Sequence, residues 1–244
     1  MTDFKDKVVL ITGGSRGIGK ELVYTLAKTG AQVVACARNL DKLIEICNDL
    51  TGQGFKAYPI KLDLESEESI KGAVAKTVSM FGTVDILINN AGVQELCPVV
   101  DMSTESFDKV MNVNIRGVFI MTREVLPYMK AKKWGKIVSI GSLSGRRGYP
   151  EQAAYCASKH ALVGFTKCLA YEVQKDNIGV CVVAPGGVLT DMSKDLRISR
   201  GDTNEAAWLT PAQIVEGVMF VLNQEGACFT DELVLRRFAS EPWR

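Results

Sequence analysis

Histidine is nearly missing from this chain: its 244 residues contain one, His160. Cysteine is present but never clustered. Cys36, Cys47, Cys97, Cys156, Cys168, Cys181 and Cys228 are scattered, odd in number and free of any C-x-x-C pair. With so few nitrogen and sulfur ligands close together, a zinc site is not expected and no metal is assigned. Dispersed cysteines of this kind read as reduced thiols, mostly buried as small hydrophobes, in a cytoplasmic protein. An excess of either charge is also missing, since 29 Lys and Arg against 28 Asp and Glu leave a formal +1. That balance points to neither nucleic acid nor an anionic membrane as partner. No apolar run reaches the roughly 18 residues that a spanning helix requires. The opening "MTDFKDKVVLITGG" has acids before its first apolar run, which soon meets glycines, so neither a signal peptide nor a membrane anchor is expected. Tandem repeats and low-complexity stretches are absent too.

What is present is a core-forming composition, 47% hydrophobic and 23% charged. Short β-rich runs recur at 7–13, 32–38, 56–63, 84–92, 136–142 and 179–186, with 233–238 as a possible last strand. Most are apolar on both faces, as central strands of a covered parallel sheet are. Helical stretches alternate with them near 19–30, 40–51, 66–81, 103–131, 152–175 and 210–223. The alternation predicts an α/β fold: one doubly wound, Rossmann-like parallel sheet with helices on both faces, spanning 1–244 as a single unit. Residues 191–207 interrupt the rhythm; they are polar, lack a convincing period, and read as a surface loop or as a flap over a ligand.

"ITGGSRGIGKEL" joins the first strand to the first helix. Gly13 and Gly14 permit a tight turn, Gly17 a close approach to a pyrophosphate, and Gly19 close helix–sheet packing, while the helix start offers unpaired N–H groups to phosphates. Ser15, Arg16 and Ile18 complete the turn. The spacing is G-x-x-x-G-x-G rather than G-x-G-x-x-G. An NAD site normally ends its second strand with Asp or Glu to grip the ribose 2′-hydroxyl. Here the strand ends in Ala37 and Arg38. A guanidinium pairs with a 2′-phosphate that a carboxylate would repel, so NADP is the expected cofactor, with Arg16 as a second cation.

Tyr155 and Lys159 stand one helical turn apart and share a face, whereas His160 lies about 140° from Tyr155 around the helix. A neighbouring ammonium favours the phenolate, as would an oxidised nicotinamide, so the expectation is a tyrosine acid–base group with its pKa lowered and a histidine left idle. Ser142, at the end of "KIVSIGS", would emerge at the same sheet edge as the glycine turn.

Together these residues resemble the short-chain dehydrogenase/reductase family from about Lys7 to Asp191. "TGGSRGIG" (12–19), "NNAG" (89–92), "NVNIRG" (112–117), "YCASK" (155–159) and "APGGVLT" (184–190) match its motifs in order, and Ser142 precedes Tyr155 by the family's spacing. The resemblance implies Tyr155 as acid–base, Ser142 as hydrogen-bond partner of the substrate oxygen, and Lys159 on the tyrosine and the nicotinamide ribose. It implies Asn114 as holder of a relay water. For the cofactor it implies Asn90 and Gly92 shaping the cleft and Asp63 at the adenine. It also implies the stretch with Pro185, Gly186, Val188 and Thr190 beside the nicotinamide. The activity implied is NADPH-dependent reduction of a small-molecule ketone or 3-oxoacyl group. An NAD-dependent alcohol dehydrogenase and a catalytically silent nucleotide-binding regulator remain alternatives. The resemblance also implies a homodimer or homotetramer, with Phe238 and Trp243 as anchors or as a frayed terminus. Arg146 and Arg147 could attract an anionic substrate. The ending "FTDELVLRRFASEPWR" lacks the family's D-G-G segment.

Overall fold

Each predicted β-rich run forms a strand of one sheet. The computed structural model describes residues 4–199, 201–202, 204–226 and 228–240. Its strands are β1 (Val8–Thr12), β2 (Gln32–Ala37), β3 (Ala57–Lys61), β4 (Ile86–Asn89), β5 (Gly135–Ile140), β6 (Ile178–Pro185) and β7 (Glu232–Leu235). All pair in parallel, in the order β3-β2-β1-β4-β5-β6-β7. The helices are α1 (Gly17–Ala27), α2 (Leu40–Gly52), α3 (Glu67–Phe81), α4 (Thr104–Met111), α5 (Gly117–Lys132), α6 (Ala153–Val173), α7 (Asp191–Ser199) and α8 (Pro211–Leu222).

Why the sheet is covered twice follows from the strand period of two. In β1, Val9 and Ile11 enter a core with Leu22, Leu26, Leu43 and Ile214 of α1, α2 and α8. Leu10 points the other way, into a core with Ile70 of α3, Met121 of α5 and Leu169 of α6. In register, Leu10 lies between Val34 and Leu87. The chain runs from β1 outward to β3 and then returns to β4 on the other side of β1. This reversal of strand order opens a crevice beyond the carboxyl ends of β1 and β4, where open α/β sheets take ligands.

Three boundaries differ from the sequence expectation. The helical stretch at 103–131 is two helices joined by a π-helical turn, Asn112–Arg116. The polar segment 191–207 contains α7 and a 3-10 turn, Glu205–Ala207. It is started by Ser193, whose hydroxyl accepts from Thr190 N (3.3 Å) and donates to Val188 O (2.6 Å). Local polar bonds make this helix, so apolar periodicity does not reveal it. Finally, β7 stops at Leu235 and the tail turns back, held by the Arg236 guanidinium, which donates to the carbonyls of Arg237, Phe238 and Ser240. Of the two proposed anchors, Phe238 is 97% exposed, and Trp243 lies outside the described residues. Cys36, Cys47, Cys156 and Cys181 are buried free thiols, Cys97 is half-buried, and Cys168 and Cys228 are exposed. Among the described residues no helix is long and apolar enough to cross a membrane.

Candidate active site

The carboxyl ends of β1 and β4 are stapled by polar bonds. The Thr12 hydroxyl accepts the N–H groups of Asn90 and Ala91, both at 3.1 Å. In return the Asn90 amide donates to Thr12 O (2.9 Å) and Gly13 O (3.2 Å). Gly13 has a φ of +73°, and a Cβ there would stand 2.8 Å from Asn90 Nδ2. A Cβ at Gly19 would stand 2.1 Å from Gly13 O, so neither position admits a side chain. Helix α1 then starts with no side-chain cap and no acidic residue in its first turn. Its N-terminal N–H groups and positive end are left for an anion.

The end of β2 is cationic. Arg38 follows Ala37 and is exposed. Asn39 caps α2 by accepting from Lys42 N at 3.1 Å, which brings Lys42 to the same cleft. Sequence reasoning missed Lys42; its signal was the capping asparagine three residues before it. Among the described residues neither Arg38 nor Lys42 makes an ion pair, while Arg16 lies 3.7 Å from Asp191. Asp63 lines the cleft and also shapes its own turn, accepting from Glu65 N at 3.0 Å.

Across the crevice, α6 buries Tyr155 (8% exposed) and Lys159 (4%) on one face. His160 is exposed on another face, its ring Nδ1 at 2.8 Å from Cys156 O, so it takes no part. Lys159 Nζ donates to Ile140 O at 2.8 Å and stands 5.6 Å from the centre of the Tyr155 ring. Without a bound nicotinamide, burial and not the ammonium decides the phenol. Burial pushes the Tyr155 phenol up to about 12, with the Ser142 hydroxyl working against it. Burial likewise pushes Lys159 down to about 8. Both charged forms lose water, and this loss outweighs the attraction the sequence argument relied on. Ser142 also holds its own turn, accepting from Ser144 N at 3.0 Å.

Asn114 is set back from the others, in the π turn and 1% exposed. Its Oδ1 accepts from Val93 N (2.8 Å) and its Nδ2 donates to Val93 O (2.8 Å) and Ser158 Oγ (3.0 Å). A Cβ at Gly92 would lie 3.3 Å from Asn114 Oδ1 and 3.8 Å from Lys159 Nζ, so the two groups flank that glycine.

These parts enclose one cleft of about 660 Å³. The site residues named from the sequence line it except Gly14, Arg146 and Asn114, the last of which stands behind the wall. Its far end, beyond Ser142, is lined by Leu143, Tyr149, Met192, Leu196 and Trp208. Here the two neighbouring arginines part. Arg146 turns away to pair with Glu232 of β7 and does not line the cleft, so it is not a substrate-attracting group. Arg147 does line it, donating to the Tyr149 hydroxyl at 2.7 Å. Sequence reasoning also missed Gln152, Arg237 and Ser240; the last two reach the cleft only because the tail folds back.

Residues 7–201 match the model of the short chain dehydrogenase family. The chain is 36% identical to a 3-oxoacyl-[acyl-carrier-protein] reductase of Thermotoga maritima, over 93% of this chain and 95% of that protein. It is equally identical, at 36%, to the reductase of the same description from Escherichia coli, over 94% and 95% of the two chains. Among solved structures, a metagenomic short-chain oxidoreductase in complex with NADP superposes with a TM-score of 0.85 at 28% identity, covering 98% of this chain and 100% of that one. Fold, crevice and glycine turn thus define a nicotinamide-type oxidoreductase of the α/β class. The chain belongs to the short-chain dehydrogenase/reductase family.

Proposed function

We propose that the chain is an NADP-dependent reductase that converts the carbonyl of a small molecule, a ketone or 3-oxoacyl compound, to an alcohol. The observation carrying this reading is the meeting of Ser142, Tyr155 and Lys159 in the cleft whose other end holds the glycine turn and the cations of β2 and α2. The residues fit a dinucleotide. The close packing at Gly13 and Gly19 holds the turn tight, Gly17 would let a diphosphate approach the backbone, and the α1 N-terminus has no side-chain cap. Arg38 and Lys42, with Arg16 beside them, would take a 2′-phosphate; Asp63 would meet the adenine; and the stretch with Pro185, Gly186, Val188 and Thr190 would flank the nicotinamide. When bound, the dinucleotide supplies the hydride.

The chain's own groups handle orientation and the proton. Lys159 holds the ribose hydroxyls, and Ser142 donates a hydrogen bond to the carbonyl oxygen. Tyr155 gives its phenolic proton to that oxygen as the O–H bond of the alcohol forms. The phenolate left behind is refilled through Lys159, and the pair of Lys159 Nζ and Asn114 Oδ1 around Gly92 is the place for a relay water. A phenol held near 12 keeps its proton until an alkoxide develops, which suits reduction. The whole described chain serves as one catalytic unit, with the segment 191–207 over the substrate. We place it in a reducing cytoplasm as a homodimer or homotetramer.

A panel of ketones and 3-oxoacyl esters, followed by loss of NADPH absorbance, tests this reading. Consumption in wild type, with Tyr155→Phe cutting kcat by roughly 100- to 10,000-fold while still binding NADPH, is the expected result. Full turnover by Tyr155→Phe refutes the mechanism.

A further inference from the structure

We infer that Arg237, delivered by the C-terminal tail, recognises a carboxylate on the substrate, so that the preferred substrates are oxo acids. The inference rests on the reading of the cleft as a reductase site and goes beyond it by naming the substrate class.

The tail approaches the reacting end closely. At Gly186 an added Cβ would stand 3.3 Å from Leu143 Cδ1 and 3.5 Å from both Arg236 Cα and Arg237 N. The backbone of the tail therefore packs against Gly186, which Leu143, the residue after Ser142, also approaches. One position on, a Cβ at Gly187 would stand 2.5 Å from the Trp208 ring, so that indole packs against the neighbouring glycine. The Arg237 guanidinium stacks over Trp208 at 4.5 Å from the ring centroid. It donates through Nη1 to Asp202 Oδ2 (3.1 Å) and through Nε to Ser240 Oγ (3.1 Å). Trp208 Nε1 also donates to Asp202 Oδ2, at 2.9 Å.

Three independent contacts thus fix the plane of a cation that lines the cleft. A guanidinium carries a fork of N–H donors, and among the described residues only two of its bonds are to oxygen, at Asp202 and Ser240. The remaining donors suit bidentate recognition of a carboxylate. Arg147, on the opposite loop, adds a second positive charge at this end of the cleft. Asp202 does not line the cleft and so does not repel a substrate anion inside it directly. The remaining lining there, Met192, Leu196 and Leu143, suits the short apolar chain of an oxo acid.

The test compares levulinate and 5-oxohexanoate with their methyl esters as substrates for wild type, Arg237→Gln and Asp202→Asn. Wild type should prefer the acids. Arg237→Gln should lower the acid-to-ester ratio of kcat/KM by about 10- to 100-fold, the size of a charged hydrogen-bonded contact. Asp202→Asn weakens the same anchoring but keeps the guanidinium, and its ratio should fall far less than that of Arg237→Gln. An unchanged ratio in Arg237→Gln, an equal loss in Asp202→Asn, or no acid preference in wild type overturns the inference and leaves the reductase reading standing. If no compound is turned over, calorimetry on the NADP⁺-loaded protein decides. Acid binding lost in Arg237→Gln upholds the carboxylate contact and no acid binding by wild type overturns it, while the reductase reading is judged by its own ketone panel.

Discussion

Replacing Arg38 with alanine tests cofactor choice at its most exposed point. Arg38 is exposed and makes no ion pair among the described residues, so its removal breaks no salt bridge there. A unit charge pair at 4 Å is worth about 1 kcal/mol in water and about 4 kcal/mol at an effective dielectric of 20. Exposure places Arg38 toward the lower figure, and bidentate geometry adds hydrogen bonds to a charged group worth about 1.5–3 kcal/mol in partly shielded sites. A loss of about 2 kcal/mol is the working value, since Lys42 and Arg16 remain nearby. That corresponds to about a 30-fold fall in kcat/KM for NADPH. NADH carries a hydroxyl where NADPH carries a phosphate, so its kcat/KM should move less than about threefold. The assay is initial rate against each cofactor at low ionic strength, then at high salt, where the NADPH effect should shrink. Equal losses for both cofactors, or no loss for NADPH, would refute the assignment of Arg38 to the 2′-phosphate.

Gly19→Ala places a methyl 2.1 Å from Gly13 O, so the turn must shift; cofactor binding should weaken at least about tenfold in fluorescence titration, while the far-ultraviolet circular dichroism stays that of the wild type. For Lys159 the folded value of about 8 lies below the ordinary 10.5. The folded chain therefore binds fewer protons than the unfolded one between those values, and the penalty of burying the ammonium is full below pH 8 and lifts as pH rises through the window. Urea unfolding of wild type relative to Lys159→Met should show the wild type gaining ground from pH 8 to 10, by at most about 3 kcal/mol. Tyr155 runs the other way: with its phenol raised to about 12, the difference in phenolate absorbance between wild type and Tyr155→Phe should be absent below pH 10 in the free protein.

The architecture was legible because it rests on local pattern. Runs such as "KVVLITG" are apolar on both faces, and only a sheet covered twice buries both. The glycine turn was legible for a related reason: Gly13 and Gly19 sit where no side chain fits, and that constraint is written in residue type. What stayed hidden depends on distance through the fold. Arg146 and Arg147 are neighbours, yet one pairs with Glu232 on β7 and the other faces the cleft; nothing in their spacing separates them. Helix α7 is made by hydroxyl bonds of Ser193 rather than by an apolar stripe. The place of Arg237 depends on where a four-residue strand stops and how Arg236 folds the tail after it.

The phenol shows most clearly what sequence spacing cannot supply. Tyr155 and Lys159 are one turn apart, and from that alone an ammonium should lower the phenol. Burial is set by the whole fold, and it moves both groups toward their neutral forms, to about 12 and about 8. A neutral phenol is the form that gives a proton, which accords with the proposed reduction. Alcohol oxidation would need phenolate, the form that burial disfavours in the free chain. The burial that defeats the simple lysine argument therefore leaves the free site holding its proton, and a bound oxidised nicotinamide would have to lower the phenol for the reverse reaction.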